Sequence, residues 1–385
     1  MKKVINMAKV MIGLSGGVDS AVAAYLLKQQ GHDVIAGFMR NWDSMLNNDF
    51  LGNPTSNDDI CPQEKDYNDA KKVAEQLGIE LFRIDFVKEY WDNVFSYFLE
   101  EYKKGRTPNP DILCNKYIKF DAFMKFAKSK GADYVATGHY AIVDHTEKIS
   151  KMYKGVDNNK DQTYFLCKVS QEQLNNSLFP LGNIEKSEVR RIANELKLEV
   201  ANKKDSTGVC FIGERNFKEF LKNYIPAKKG NIVDKCSNKV VGQHDGVMYY
   251  TIGQRKGLGI GGLKDHVGGS WFVVGKNVKE NILYVAQGEE NDYLLADKCY
   301  VSDVNWIRGE KPNKNRFKCQ AKFRYRQPDQ SVEVELLDGN NVIVYCNNPV
   351  KAITSGQEAV FYLENECLGG GTIEKVYRND KLLDC

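Results

Sequence analysis

Three short strings hold the residues best suited to chemistry. Ser15-Gly16-Gly17-Val18-Asp19-Ser20 combines two glycines, two hydroxyls and a carboxylate. Glycines let backbone N–H groups approach phosphate oxygens, and a following helix N-terminus adds partial positive charge. The string is neither a G-x-x-x-x-G-K-[ST] loop, whose lysine and spacing it lacks, nor a G-x-G-x-x-G fingerprint. A lone Gly-Gly is ordinarily a tight turn with Asp19 or Ser20 capping the helix; the whole string between a strand and a helix points to phosphate. In the second string, Thr107 to Asn115, Asn109 is a good helix cap, Pro110 suits the first helical position and Asp111 the first turn. Asp111 and Cys114 then share a face at i, i+3. The helix dipole favours a thiolate there and the carboxylate opposes it, so spacing leaves the balance open, and a capped helix with a buried cysteine is the plain alternative. The third string, Asp205 to Gly213, sets Cys210 between a glycine-bearing polar turn and Phe211-Ile212. Such a loop can expose a sulfur, although free cysteine is more often buried.

The elements that must position these strings alternate between strand and helix in the first half of the chain, the signature of a parallel sheet covered on both faces. Lys9 to Leu14 and Asp33 to Met39 read as strands flanking a helix over Asp19 to Gln30, with Val18, Val22, Tyr25 and Leu26 on one stripe and Gly31 as its stop. Further units are a helix at 68–77 with a strand at 81–86, and a helix at 110–129 with a strand at 134–137. The stretch 47–61, rich in Asn, Asp, Gly and Pro, reads as a long mobile loop. Past Phe217 the pattern becomes glycine-punctuated with short apolar runs, including Val247 to Ile252 and Trp271 to Val274, as expected of short strands and turns. Near the end, Val332, Val334 and Leu336 alternate, then Val342 and Val344, across Asp338-Gly339-Asn340-Asn341; this is an antiparallel hairpin whose neighbours suggest a small barrel. The expected fold class is therefore α/β: an N-terminal parallel-sheet domain over 1–215, a small mostly-β domain over 216–288 and a C-terminal antiparallel β-barrel over 289–385.

At 385 residues the chain is too long for one ordinary domain. Its 54 Lys and Arg nearly balance 51 Asp and Glu, so a nucleic-acid partner must meet local basic patches. No run approaches the roughly 18 apolar residues of a bilayer helix, which excludes a membrane role of that kind. The ten cysteines are scattered without close pairs, and Ser15 to Ser20 interrupts the first apolar run, so a reducing, cytoplasmic location without a leader is expected. Translation from Met1 or from Met7 is equally compatible with the sequence.

The phosphate string resembles the loop of the N-type ATP pyrophosphatases, which split ATP to AMP and pyrophosphate while adenylating a substrate oxygen. Together with Asn109 to Asn115, Thr137-Gly138-His139-Tyr140, Lys160-Asp161-Gln162-Thr163-Tyr164, Thr207 to Glu214, Gly253-Gln254-Arg255-Lys256-Gly257-Leu258-Gly259 and Arg324-Tyr325, it is similar to the tRNA-specific 2-thiouridylase family from the first strand to the end of the chain. The resemblance implies a Rossmann-like ATP pyrophosphatase domain and a tRNA-binding barrel. It sets ATP, with Mg, against Gly13, Leu14, Ser15, Gly16, Gly17, Val18, Asp19 and Ser20, with Met39 and Gly138 lining the adenosine. It implies that AMP is attached to O2 of a wobble uridine and that Cys210 carries a persulfide from a donor, a cysteine desulfurase or relay protein. Cys114 then releases the sulfur, leaving a Cys114–Cys210 disulfide. Asn109, Pro110 and Asp111 fall at the target base, where Asp111 joins Cys114 and Cys210 as a catalytic residue that polarises the base or acts on a proton, and His139, Lys160, Asp161, Gln162, Arg324, Tyr325 and Gln357 at the tRNA. Phe317 to Arg326, where Lys318, Lys322, Arg324 and Arg326 stand among Phe323 and Tyr325, fits a basic strand face with aromatics nearby, although taken alone it reads as a solvated charged face, and His139 taken alone as a core histidine. Gln254 to Lys256 reads as a further phosphate contact or only a hairpin turn.

Three rivals share some of these features. An amide-forming ligase keeps the ATP chemistry but leaves the two cysteines and the basic barrel idle. An ATP-sensing RNA-binding module needs no Cys210 thiol. In the third, Asp111, Cys114 and Cys210 are three ligands of an iron-sulfur cluster.

Overall fold

A computed structural model describes residues 7–55, 58, 60–205, 212, 215–260 and 269–383. The first sheet is wholly parallel, in the order β3-β2-β1-β4-β7, built from β1 (Lys9–Gly13), β2 (Asp33–Arg40), β3 (Leu81–Asp85), β4 (Tyr134–Ala136) and β7 (Ser177–Leu178). Strands covered on both faces read as unbroken apolar runs, as Val10-Met11-Ile12 does. One face packs on α1 (Val18–Gln29), α2 (Pro62–Leu77) and the helix Lys186–Glu195; the other packs on the helical stretches 87–103 and 110–129. Because α1 is covered on several sides, Ala21 to Ala24 are all buried. Its deep stripe runs to Leu27, whereas Tyr25 and Leu26, expected on that stripe, are half-exposed. Gly31 takes φ +85° just past the helix, as its place in the sequence suggests.

One expectation changes. The loop over 47–61 was read as mobile, yet its first half is pinned: Asn47, Asp49 and Asn53 are buried, and Asp49 accepts from Trp42 Nε1 at 3.0 Å and from Arg215 at 2.8 Å. Burying these polar groups demands such partners. The run Val247 to Ile252 opens with a single 3-10 turn, Val247–Tyr249, within the expected mix of short strands and turns.

The central region forms a four-stranded sheet of β10 (Trp271–Asn277), β11 (Ile282–Gln287), β8 (Gly230–Asp234) and β9 (Val240–His244), in that order. The C-terminal part is a closed antiparallel barrel of six strands: β12 (Leu295–Trp306), β15 (Val342–Lys351), β14 (Gln330–Leu336), β13 (Arg316–Lys322), β16 (Glu358–Leu363) and β17 (Glu366–Arg378), with β17 returning to β12. The expected hairpin pairs Val334 with Val344 and Leu336 with Val342. Val301, Val334, Val344, Phe361 and Ile373 fill the interior, each removal from water favouring the barrel by about 1.5–3 kcal/mol. A hairpin of the first domain, β5 (Ala141–Asp144) and β6 (Lys151–Lys154), extends the barrel sheet by pairing Met152 with Cys367. The two domains therefore share main-chain hydrogen bonds.

Candidate active site

The phosphate loop leaves β1 and enters α1. Gly16 takes φ +71°, and a Cβ there would stand 2.2 Å from the Asp66 carbonyl oxygen, so only glycine fits. Gly17 occupies the cap position of α1 and no side chain caps the helix, which leaves the first-turn N–H groups for an anion. Ser20 does not cap: its hydroxyl donates to the Gly17 carbonyl at 3.0 Å and accepts from the Ser15 N–H at 3.1 Å, stapling the loop. Gly138 follows β4 and packs so tightly on this turn that a Cβ would lie 2.9 Å from the Ser20 nitrogen. A Cβ on Gly13 would touch the Met39 methyl at 3.1 Å. The loop, Met39 and Gly138 thus converge at the carboxyl edge of the sheet, around the point between β1 and β4 where strand order reverses and ligands of such folds bind.

The loop's cations come from far along the chain, and sequence reading missed them. Lys186 Nζ donates to both Asp19 oxygens at 2.7 and 2.8 Å and pairs with Asp205 at 2.8 Å. Lys203 Nζ reaches the Gly16 carbonyl at 2.9 Å, together with Asp66 and Asp69. Asp205 also binds Lys160 at 2.7 Å and Arg190 at 2.6 Å. Against burial, which alone would raise it, Lys160 and Lys186 hold the Asp205 carboxyl well below the usual carboxylate range. Tyr140 donates its hydroxyl to Asp19 at 2.7 Å, and burial followed by that carboxylate pushes the phenol far above its ordinary value, so it stays a donor. No local pattern marks Lys186 or Lys203, whose partners on the loop lie 167 and 187 residues away.

In the second string, Asn109 Oδ1 accepts from the Asp111 N–H at 3.1 Å and Pro110 opens the helix, as its sequence suggests. Cys114 has no exposed surface and begins a π-helical stretch, Cys114–Ala122, a rare geometry that concentrates at functional sites. Cys210 lies outside the described residues. The segment carrying it is flanked by Asp205, tied to Lys186, and by Arg215, tied to Asp49. Among the described residues no three His, Cys, Asp or Glu side chains are grouped to hold a metal ion.

Of the residues assigned to RNA, Gln357 and Arg324 sit where the barrel meets the other regions. Gln357 Nε2 donates to the Thr107 carbonyl at 2.6 Å, two residues before Asn109. Arg324 donates to the Ile252 carbonyl at 2.6 Å and to Thr354 Oγ1 at 3.2 Å. Tyr325 packs on Phe165 at 4.3 Å between ring centres. Gln162 accepts from the Tyr140 N–H at 3.0 Å, and buried Asp161 brackets Thr163 and Gly155. His139 is buried beside Phe120 and Phe179 and bonded to Thr137 at 2.7 Å; burial, then the charge of Lys119, pushes it well below its usual value, so it is neutral. Lys160 reaches the surface at the rim of the Asp205 cluster. The basic strand face is shorter than the sequence suggests: β13 stops at Lys322, and Arg324 and Tyr325 lie in the following turn while Phe323 enters the barrel core. Gln254 is folded into a turn, its Oε1 accepting from the Thr251 N–H at 3.0 Å.

Comparison with known proteins supplies what this geometry leaves open. Residues 8–214 match a family described as the tRNA methyl transferase HUP domain, 218–287 the PRC-barrel domain of the same group, and 296–373 an aminomethyltransferase β-barrel domain. The tRNA-specific 2-thiouridylase MnmA of Mycoplasma capricolum is 58% identical over 376 residues, 96% of this chain and 99% of that protein. The chain belongs to the tRNA-specific 2-thiouridylase family. A second member, the MnmA of Bacillus anthracis, is 54% identical over 385 residues, with both chains fully covered. The likeness therefore extends over all three regions, and the chain is a member of an enzyme family rather than a bare RNA-binding module.

Proposed function

We propose that this protein is a tRNA-uridine 2-sulfurtransferase that thiolates the wobble uridine at the expense of ATP, with domains at 1–215, 216–288 and 289–385. One observation carries the reading: an uncapped helix N-terminus behind a glycine loop with two lysines brought to it, on the sheet edge that also presents Gly138 and Met39. Gly13 to Ser20 bind the triphosphate of ATP, accompanied by Mg, and Met39 and Gly138 line the adenosine. The uridine O2 attacks the α-phosphorus and pyrophosphate leaves; adenylation turns a poor leaving oxygen into a good one. Attack of the Cys114 thiolate on the Cys210 sulfur breaks the persulfide S–S bond, forms the Cys114–Cys210 disulfide and frees the outer sulfur to displace AMP at C2. A thiol reductant resets the pair. Asn109, Pro110 and Asp111 hold the target base, which must leave the anticodon stack to be reached. His139, Lys160, Asp161, Gln162, Arg324, Tyr325 and Gln357 are assigned to tRNA contact, and of these Lys160, Gln162, Arg324, Tyr325 and Gln357 are part-exposed, in support of that role. The partners are tRNA and a persulfide donor protein, in the cytoplasm; among the described residues no helix is long and apolar enough to cross a membrane. A methyl transfer, as in the matched family's description, would leave the phosphate loop without a task.

The test is incubation with ATP, tRNA and a persulfide source, followed by nucleoside mass analysis. AMP, pyrophosphate and 2-thiouridine are expected, whereas ADP and phosphate refute the reading. Iron and colour in anaerobically purified protein would replace the persulfide route with a cluster at Asp111, Cys114 and Cys210.

A further inference from the structure

Asn41 follows the last residue of β2, at the carboxyl edge of the sheet that carries the phosphate loop. Its side chain has no exposed surface, and among the described residues neither Nδ2 nor Oδ1 has a hydrogen-bond partner. A buried carboxamide left wholly unpaired is one of the costlier features a fold can keep, and each such group calls for an explanation. The backbone gives it no easy escape to solvent. Arg40 before it is paired with Asp85 at 2.6 Å, and Trp42 after it is bonded to Asp49 and packed on Phe95 at 4.8 Å.

Along β2, Gly37 and Met39 share a face: a Cβ at Gly37 would strike Phe123, and Met39 packs in the same cluster as Phe123 and Cys114. Asn41 comes two residues on, just past the strand, and its neighbour Trp42 packs in that same cluster. Asn41 therefore lies at the strand end, beyond the methionine next to Gly13. Ligands of doubly wound sheets bind off these strand ends. A carboxamide offers a donor beside an acceptor, the pattern that pairs in bidentate fashion with the donor–acceptor edge of a nucleobase.

We propose that Asn41 is a specificity-determining residue that reads the hydrogen-bonding edge of a base brought to the site, either the adenine of ATP or the target uracil. This rests on the ATP-dependent tRNA thiolation proposed above. Because the carboxamide is covered, a neighbouring side chain must shift to admit the base.

The test compares full-length wild type with Asn41→Leu and Asn41→Asp. Leucine has nearly the same shape and removes two unpaired polar atoms, so its denaturant midpoint is expected to equal or exceed that of wild type. If adenine is the ligand, affinity for α,β-methylene-ATP without tRNA falls on the order of tenfold or more in the leucine variant. If uracil is the ligand, that affinity is unchanged and adenylated tRNA forms on the order of tenfold more slowly. The aspartate variant keeps the acceptor but loses the donor, and is expected to fail in the same arm. The proposal is overturned if Asn41→Leu is as active as wild type in both arms, or if it unfolds at a clearly lower midpoint, which marks Asn41 as a structural group. A wild-type enzyme that makes neither adenylated nor thiolated tRNA refutes the underlying reaction instead.

Discussion

Replacing Gly16 by alanine should abolish pyrophosphate release, and the size of the effect follows from two geometric facts. The residue takes φ +71°, which costs an L-residue roughly 1–2 kcal/mol, and its new Cβ would lie 2.2 Å from the Asp66 carbonyl oxygen, whereas ordinary contact begins near 3.4 Å. The loop and α2 must therefore part by about 1 Å, a misplacement that costs on the order of a hundredfold in rate when it falls on groups aligning a reacting phosphate. Gly31 is the control. It takes φ +85° with nothing within 4 Å of its virtual Cβ, so Gly31→Ala carries only the conformational cost. Pyrophosphate release with ATP and tRNA, measured beside urea unfolding, separates the two. Gly31→Ala should lose about 1–2 kcal/mol of stability at an unchanged rate, and Gly16→Ala should lose at least as much stability and nearly all of its rate. Equal rates in the two variants would mean that the loop does not set the phosphate geometry.

Cys114→Ser should accept a persulfide at Cys210 and then stall, with adenylation intact; full single-turnover thiolation would remove Cys114 from the chemistry. Lys318 is exposed on β13, and Lys318→Ala should lower the salt slope of tRNA binding by about 0.7–0.9, the value of one phosphate contact, with unfolding unchanged. Arg324→Ala should lower stability as well as tRNA affinity, because it leaves the Ile252 carbonyl unpaired at the junction. Glu358 is buried, and burial raises its carboxyl to about 8 despite Lys168 and Arg106. Since the folded chain holds this proton where the unfolded chain has released it, stability should fall as pH rises from about 4.5 to 8, with a slope approaching 1.4 kcal/mol per pH unit for this one group. Glu358→Gln should flatten that slope in pH-dependent urea unfolding, and an unchanged slope would refute the assignment.

Much of this protein is legible locally. The apolar runs flanking Ser15 to Ser20 set strand, loop and helix, because buried parallel strands and a helix behind a glycine turn are encoded within a few residues. Asn109 and Pro110 start their helix, and Val334 and Val344 pair across the expected turn, for the same reason. Cysteine at 114 and the phosphate loop were recognisable as chemical candidates by type and neighbours. What no local window holds is the company these residues keep. Lys186 and Lys203 reach the loop only because the helix Lys186–Glu195 packs on α1, closing contacts across 167 and 187 residues. Arg324 and Tyr325 read as part of a basic strand, but β13 ends at Lys322 and the central region and Phe165 claim them. Asn41 is a polar residue just past a strand, and only the fold buries it unpaired, beside Trp42, whose aromatic cluster joins three separate stretches. Backbone conformation is set by neighbours in sequence; burial, counter-charges and unmet hydrogen bonds are set by neighbours in space.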